Sequence, residues 1–209
     1  DWYHGPIVLE QMDAFQAVPE PEHMPFRMPV QGVYKFSGSN DSRRIIAGTV
    51  ESGKVCAGDA LVFYPSGKKT SVKSLEVFHA KTTEAFSAGN AAGFTMTEEI
   101  FVKRGEIACL QGEKAPHVGV RMRTNLFWLG KENLKLDKTY HLKCGTAKVE
   151  MRLEKVERVV NASDLSCISR QYVEKNEVAE CILRLERPIA FDLSGSIDAT
   201  SRFVIVDDY

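Results

Sequence analysis

Along its length this chain changes hydrophobic period once. From Ile7 to Phe15 the apolar residues fall at Val8, Leu9, Met12 and Phe15, the spacing of one helical face, and Pro6 stands where a first helical residue needs no N–H. One short amphipathic helix is predicted there. Pro19-Glu20-Pro21-Glu22 cannot continue it and reads as an extended linker near residues 18–27. Beyond the linker the pattern becomes short β-rich runs divided by Gly, Pro, Asn and Asp.

From Met28 to Leu110 the predicted strands are Val30 to Phe36, Arg44 to Val50, Ala60 to Tyr64, Thr70 to His79, Ala91 to Met96 and Glu106 to Leu110. The turns between them hold Ser37 to Asp41, Ser52-Gly53, Gly58-Asp59, Pro65-Ser66-Gly67 and Ala88-Gly89-Asn90. Strands at this spacing favour a closed barrel, which leaves no edge exposed. After a second break at Gly112 to Pro116, Val118, Val120, Met122, Thr124 and Leu126 alternate with polar or small residues, which predicts a half-buried strand. Tyr140 to Cys144 and Ala147 to Val160 follow. In the latter the phase set by Val149, Met151 and Leu153 slips to Val156, which predicts a bulge or sharp bend. Asn161 to Asn176 is irregular, with one helical turn expected at Ser163-Asp164. Val178 to Leu185, Ile189 to Phe191 and Arg202 to Val206 complete the pattern. The expected fold class is therefore all-β: two consecutive antiparallel barrels, residues 27–114 and 115–209, behind a helix and linker at 1–26.

Composition narrows the chemistry. No apolar run approaches the ~18 residues of a membrane span, so no membrane partner is expected. No leader pattern is present, and Asp1 in place of Met predicts a cut ahead of it. The 27 basic and 28 acidic residues give a net charge of -1, which argues against a broad nucleic-acid surface. The five cysteines lack any C-x-x-C pair and mostly lie in apolar strand patterns, so they read as free, buried thiols of a reducing cytoplasm. No phosphate loop of the form G-x-x-x-x-G-K-[ST] occurs.

Several phrases, in order, resemble the translation-factor GTPase superfamily in the part that follows its nucleotide domain. Trp2-Tyr3-His4-Gly5-Pro6-Ile7-Val8-Leu9-Glu10 is similar to that domain's last helix. Phe26-Arg27-Met28-Pro29-Val30 is similar to the lead-in to the second domain, Ala47 to Val55 with Gly58-Asp59 to its glycine-anchored hairpin, and Val102-Lys103-Arg104-Gly105 to its close. Arg187-Pro188-Ile189 and Arg202-Phe203-Val204-Ile205 resemble the end of the third domain. Pro65-Ser66-Gly67-Lys68, Thr97-Glu98-Glu99-Ile100 and Asn125-Leu126-Phe127-Trp128-Leu129 point, within the superfamily, to the GTPase subunits of sulfate adenylyltransferase. Val33-Tyr34-Lys35-Phe36 reads as readily like eukaryotic-type elongation and release factors, so tandem barrels that bind tRNA or a protein partner stay open as the alternative.

The resemblance implies a parent that couples GTP hydrolysis to formation of adenylyl sulfate from ATP and sulfate on a separate catalytic subunit. It implies that GTP and Mg are held in an N-terminal GTPase domain absent from this chain, that the leading helix is that domain's last, and that the barrels meet both that domain and the catalytic subunit. No catalytic, cofactor-binding or metal residue is expected in the barrels themselves. Gly48, Gly53 and Gly58 lie between strands instead of ahead of a helix, so they read as turn or close-approach glycines and not as a phosphate cradle. The five histidines are scattered, and the acidic pairs Glu98-Glu99 and Asp207-Asp208 lack the remaining ligands of a metal site. Arg43, Arg44, Lys68 and Lys69, with Lys73, form the nearest thing to a basic stripe, with Tyr34, Phe63 and Tyr64 as aromatic neighbours. They are the candidate partner surface, set against the plainer reading of solvated turn cations.

Overall fold

The computed structural model describes residues 2–16, 21–36, 43–77, 83–160 and 167–207. Helix α1 spans Val8–Asp13, with Ile7 as its N-cap and the Glu10 carboxylate accepting from the Ile7 N–H at 3.1 Å. Pro6 thus stands ahead of the cap and not at the first helical position, and the helix is shorter than its periodicity predicts. Its apolar residues bury nothing: Val8, Leu9 and Met12 are 75%, 67% and 57% exposed. An isolated helix this short has no stability of its own, since nucleation costs more than six residues return.

The first β unit holds β1 (Met28–Lys35), β2 (Arg44–Thr49), β3 (Lys54–Cys56), β4 (Ala60–Tyr64), β5 (Lys68–Glu76), β6 (Ala85–Ser87), β7 (Ala91–Met96) and β8 (Ile107–Leu110). Six of these close a barrel in the order β1-β2-β7-β5-β4-β8, and β3 with β6 forms a small separate ladder. Every neighbouring pair in the barrel is antiparallel. Phe26, Met28, Val30, Ile46, Leu61, Phe63 and Phe94 fill the interior with no exposed surface. Gly48 lies where β1 crosses closest, since a Cβ there would come within 2.4 Å of the Pro29 carbonyl oxygen. The sequence pattern places the barrel strands to within a few residues but passes over β3 and β6. The turn predicted at Ser37 to Asp41 and the part of the fourth predicted strand beyond Val77 lie outside the described residues.

The second unit holds β9 (His117–Phe127), β10 (Leu134–Lys135), β11 (Thr139–Cys144), β12 (Ala147–Val160), β13 (Cys167–Ile168), β14 (Tyr172–Val173), β15 (Val178–Phe191), α2 (Asp198–Ser201) and β16 (Phe203–Val206). Its antiparallel sheet runs β16-β11-β12-β15-β9, with β13 on β12 and a β10-β14 ladder beside it. It rolls around a core of Trp128, Leu134, Tyr140, Leu142, Met151, Leu153, Val173 and Leu183. The slip after Leu153 is a register shift between Leu153 and Lys155, as the phase of the apolar residues predicts. The two runs predicted at Val178 and Ile189 are one strand, β15, whose pairing with β9 skips from Arg184 to Ile189. Pro188 lies inside that skip, where its missing N–H breaks no ladder bond. The turn predicted at Ser163-Asp164 lies outside the described residues.

This second barrel has a seam. β9 and β16 end the sheet, and a groove of about 730 Å³ lies between them, lined by Met122, Leu126, Trp128, Phe203 and Ile205 among others. Val118 and Val120, predicted to be half-buried with the rest of their face, are 46% and 39% exposed.

Candidate partner-docking surface

The four predicted surface cations do not gather in one stripe. Arg43 pairs with Glu76 at 2.6 Å, at the far end of β5, and lies 5.9 Å from the Phe36 ring centroid. Lys68 begins β5, so the two groups stand about 26 Å apart at the rise of an extended strand. Arg44 is half-buried beside β1. Lys69 follows Lys68 and so points to the opposite face of the strand. Of the aromatic neighbours, Phe63 is fully buried and Tyr64 packs into a small cluster with Ile107, Cys109 and Ala190. Only Tyr34 stays exposed.

Lys68 instead joins residues that the sequence did not single out. Its ammonium donates to the Phe101 carbonyl and sits 5.4 Å from the Phe101 ring centroid, and the Lys103 ammonium sits 5.4 Å from the same centroid. Phe101 is 59% exposed. Its loop is pinned on both sides: Thr97 donates from its backbone to Ser71 at 3.0 Å, the Lys103 N–H donates to the Glu106 carboxylate at 3.1 Å, and the Arg104 guanidinium donates to the Gln31 carbonyl at 3.1 Å. Val102, the next residue, is buried in the barrel core. An exposed aromatic ring thus stands beside two cations on a pinned loop.

A second constellation joins the barrels. Arg27, fully buried, donates through Nε to Asp192 Oδ2 at 2.9 Å and through Nη2 to Asp192 Oδ1 at 3.1 Å. It also donates to the carbonyls of Phe26 and Lys114 at 3.0 and 2.7 Å, and the Thr200 hydroxyl donates to Asp192 at 2.7 Å. Burial works against the guanidinium charge, yet the hydrogen bond to Asp192 and the surrounding negative charge leave its pKa above the ordinary value. Nearby, Gly105 at φ +94 passes so close to the second barrel that a Cβ would lie 3.0 Å from Ala147 Cα. Neither feature carries a local sequence signal: Arg27 and Asp192 are 165 residues apart.

The remaining candidates are structural. Gly53 and Gly58 take positive φ in turns of the first barrel. These glycines do not fit a nucleotide, because strands and not a helix follow them. Cys109, Cys144 and Cys181 are buried free thiols, with pKa values pushed up by burial to about 12, 11 and 12. Cys56 is half-buried and Cys167 exposed. Among the described residues no helix is long and apolar enough to cross a membrane.

These two antiparallel units match known families. Residues 43–109 match elongation factor Tu domain 2, and residues 121–209 match the GTP-eEF1A C-terminal domain-like family. The chain belongs to the translation-factor-type GTPase superfamily, of which it holds the second and third domains. Within it, the chain is similar to subunit 1 of sulfate adenylyltransferase from Aeromonas hydrophila, 30% identical over 99% of this chain and 42% of that protein. The bifunctional enzyme NodQ of Rhizobium sp. strain BR816 is likewise 30% identical, over 99% of this chain and 32% of NodQ. The chain therefore spans less than half the length of these relatives. In fold it is similar to Sup35 in its crystal structure with GDP, with a TM-score of 0.80 at 18% identity over 99% of this chain and 50% of that one.

Proposed function

We propose that this chain is the two-barrel part of the GTP-binding subunit of a cytoplasmic sulfate adenylyltransferase, and that the barrels dock the catalytic subunit and change orientation with nucleotide state. The observation that carries this reading is the similarity to sulfate adenylyltransferase subunit 1, which runs through both barrels and the leading helix at 30% identity. The uncovered apolar residues of α1 fit it too, because a GTPase domain that includes this helix would bury them. On this reading GTP and Mg²⁺ bind in that domain, and these 209 residues have no activity alone. The parent couples GTP hydrolysis to adenylyl sulfate formation. GTP acts on the barrels only by binding one of their orientations better than another.

The test is to mix the longer protein with the catalytic subunit and follow pyrophosphate release from ATP and sulfate. GTP should raise the rate, and the two proteins should co-elute. No response to GTP together with no co-elution removes the reading. Salt-sensitive retention of aminoacyl-tRNA would replace it with a translation role.

A further inference from the structure

We propose that the surface around Phe101 is the point at which an acidic protein surface docks onto the first barrel; this rests on the function proposed above, and on that reading the acidic surface belongs to the catalytic subunit. Phe101 offers a large apolar contact on a loop that is already ordered, so little conformational freedom is lost when a partner covers it. Aromatic residues are also enriched at protein interfaces.

The charges around the ring are available to a partner. Among the described residues, neither Lys68, Lys103 nor Arg104 stands within ion-pairing distance of a carboxylate; their contacts are the Phe101 ring and the carbonyls of Phe101 and Gln31. Glu98 and Glu99, earlier on the loop, form no ion pair with them. Elsewhere on the surface many cations are satisfied internally: Arg43 by Glu76, Arg121 by Glu154, Arg158 by Glu180 and Arg202 by Asp198. Carboxylates arriving at Lys68 and Lys103 would find ammonium groups already positioned, and the groups' hold on the ring would persist.

Nucleic acid fits this surface less well than protein. The net charge of -1 adds no general attraction for phosphates.

The experiment measures binding of this chain to the purified catalytic subunit across a salt series, for the wild type, Lys68→Glu/Lys103→Glu, Phe101→Ala and a control, Lys131→Glu, in the second barrel. The expected result is about a tenfold or greater loss of affinity for the double charge reversal. A loss for Phe101→Ala, no change for Lys131→Glu, and wild-type affinity that falls with salt complete the expectation. Lys68→Gln/Lys103→Gln replaces the reversal if thermal melting shows that the latter does not fold. Wild-type binding with unaltered affinity in both lysine pairs overturns the docking surface and leaves the proposed function standing. No binding by the wild type overturns both. Binding of a single-stranded oligonucleotide that the lysine variants lose overturns the protein partner in favour of nucleic acid.

Discussion

At the scale of single residues, the barrel joint is the costliest place to disturb. Arg27 and Asp192 are 0% and 4% exposed, and every bond each makes is directed at a group that is itself buried or part-buried. Removing one partner leaves the other charge stranded away from water, which costs about 3–5 kcal/mol. Asp192→Ala should therefore lower stability by that amount in urea titration, and replacing both residues by apolar ones should cost less than the sum of the single changes. The buried thiols give a second residue-scale prediction. Their folded pKa values of about 11 to 12 lie above the unfolded value near 9, so the unfolded chain loses protons first as pH rises. Their contribution is fully present below pH 9 and is lost progressively between about 9 and 12, so the melting temperature should fall across that window. Replacing Cys109 and Cys181 by Ala should flatten the fall. At pH 8 a thiol reagent should label Cys167 first, Cys56 more slowly and the other three only on unfolding.

At the scale of elements, protection should follow position in the sheets. β12 and β15 are paired on both sides, whereas among the described residues β9 and β16 each have one open edge. Amides of Met122 to Phe127 and Phe203 to Val206 that face the groove should exchange with solvent orders of magnitude faster than those of Val149 to Leu153, as read by hydrogen-exchange mass spectrometry. Equal protection would mean that the seam is closed in solution. Much of this architecture is legible in the sequence, because the central strands alternate cleanly; even the irregularity after Leu153 announces itself as a slip of phase. The β3-β6 and β10-β14 ladders are not legible, since two or three residues carry no period. Val118 and Val120 mislead for a different reason: their alternation is right, but what would cover them is a matter of tertiary structure. At the proposed docking surface, Lys68 stands out as a turn cation, while nothing in the local sequence marks Phe101. Only the fold brings the β4-β5 turn and the loop before β8 together.

At the scale of the whole molecule, the joint makes two barrels behave as one body. Arg27 of the first barrel is held by Asp192 of the second, which Thr200 holds in turn, and Cys109 and Ile107 pack on Ala190 across the same boundary. Thermal unfolding should therefore appear as a single calorimetric transition, and Asp192→Ala or Gly105→Val should split or broaden it as the barrels uncouple. A wild type that melts in two separate steps would show that the joint contributes little. The seam carries a further consequence, which concerns how the molecule behaves in company. Its two edges, unpaired among the described residues, offer rows of backbone donors and acceptors to any neighbour, and a net charge of -1 supplies almost no repulsion to keep neighbours apart. Crowding should then convert copies of this chain into edge-paired clusters, visible in light scattering as particle size that grows with concentration. A lysine at Val204, outward on β16 and 62% exposed, should suppress that growth while leaving the melting temperature nearly unchanged.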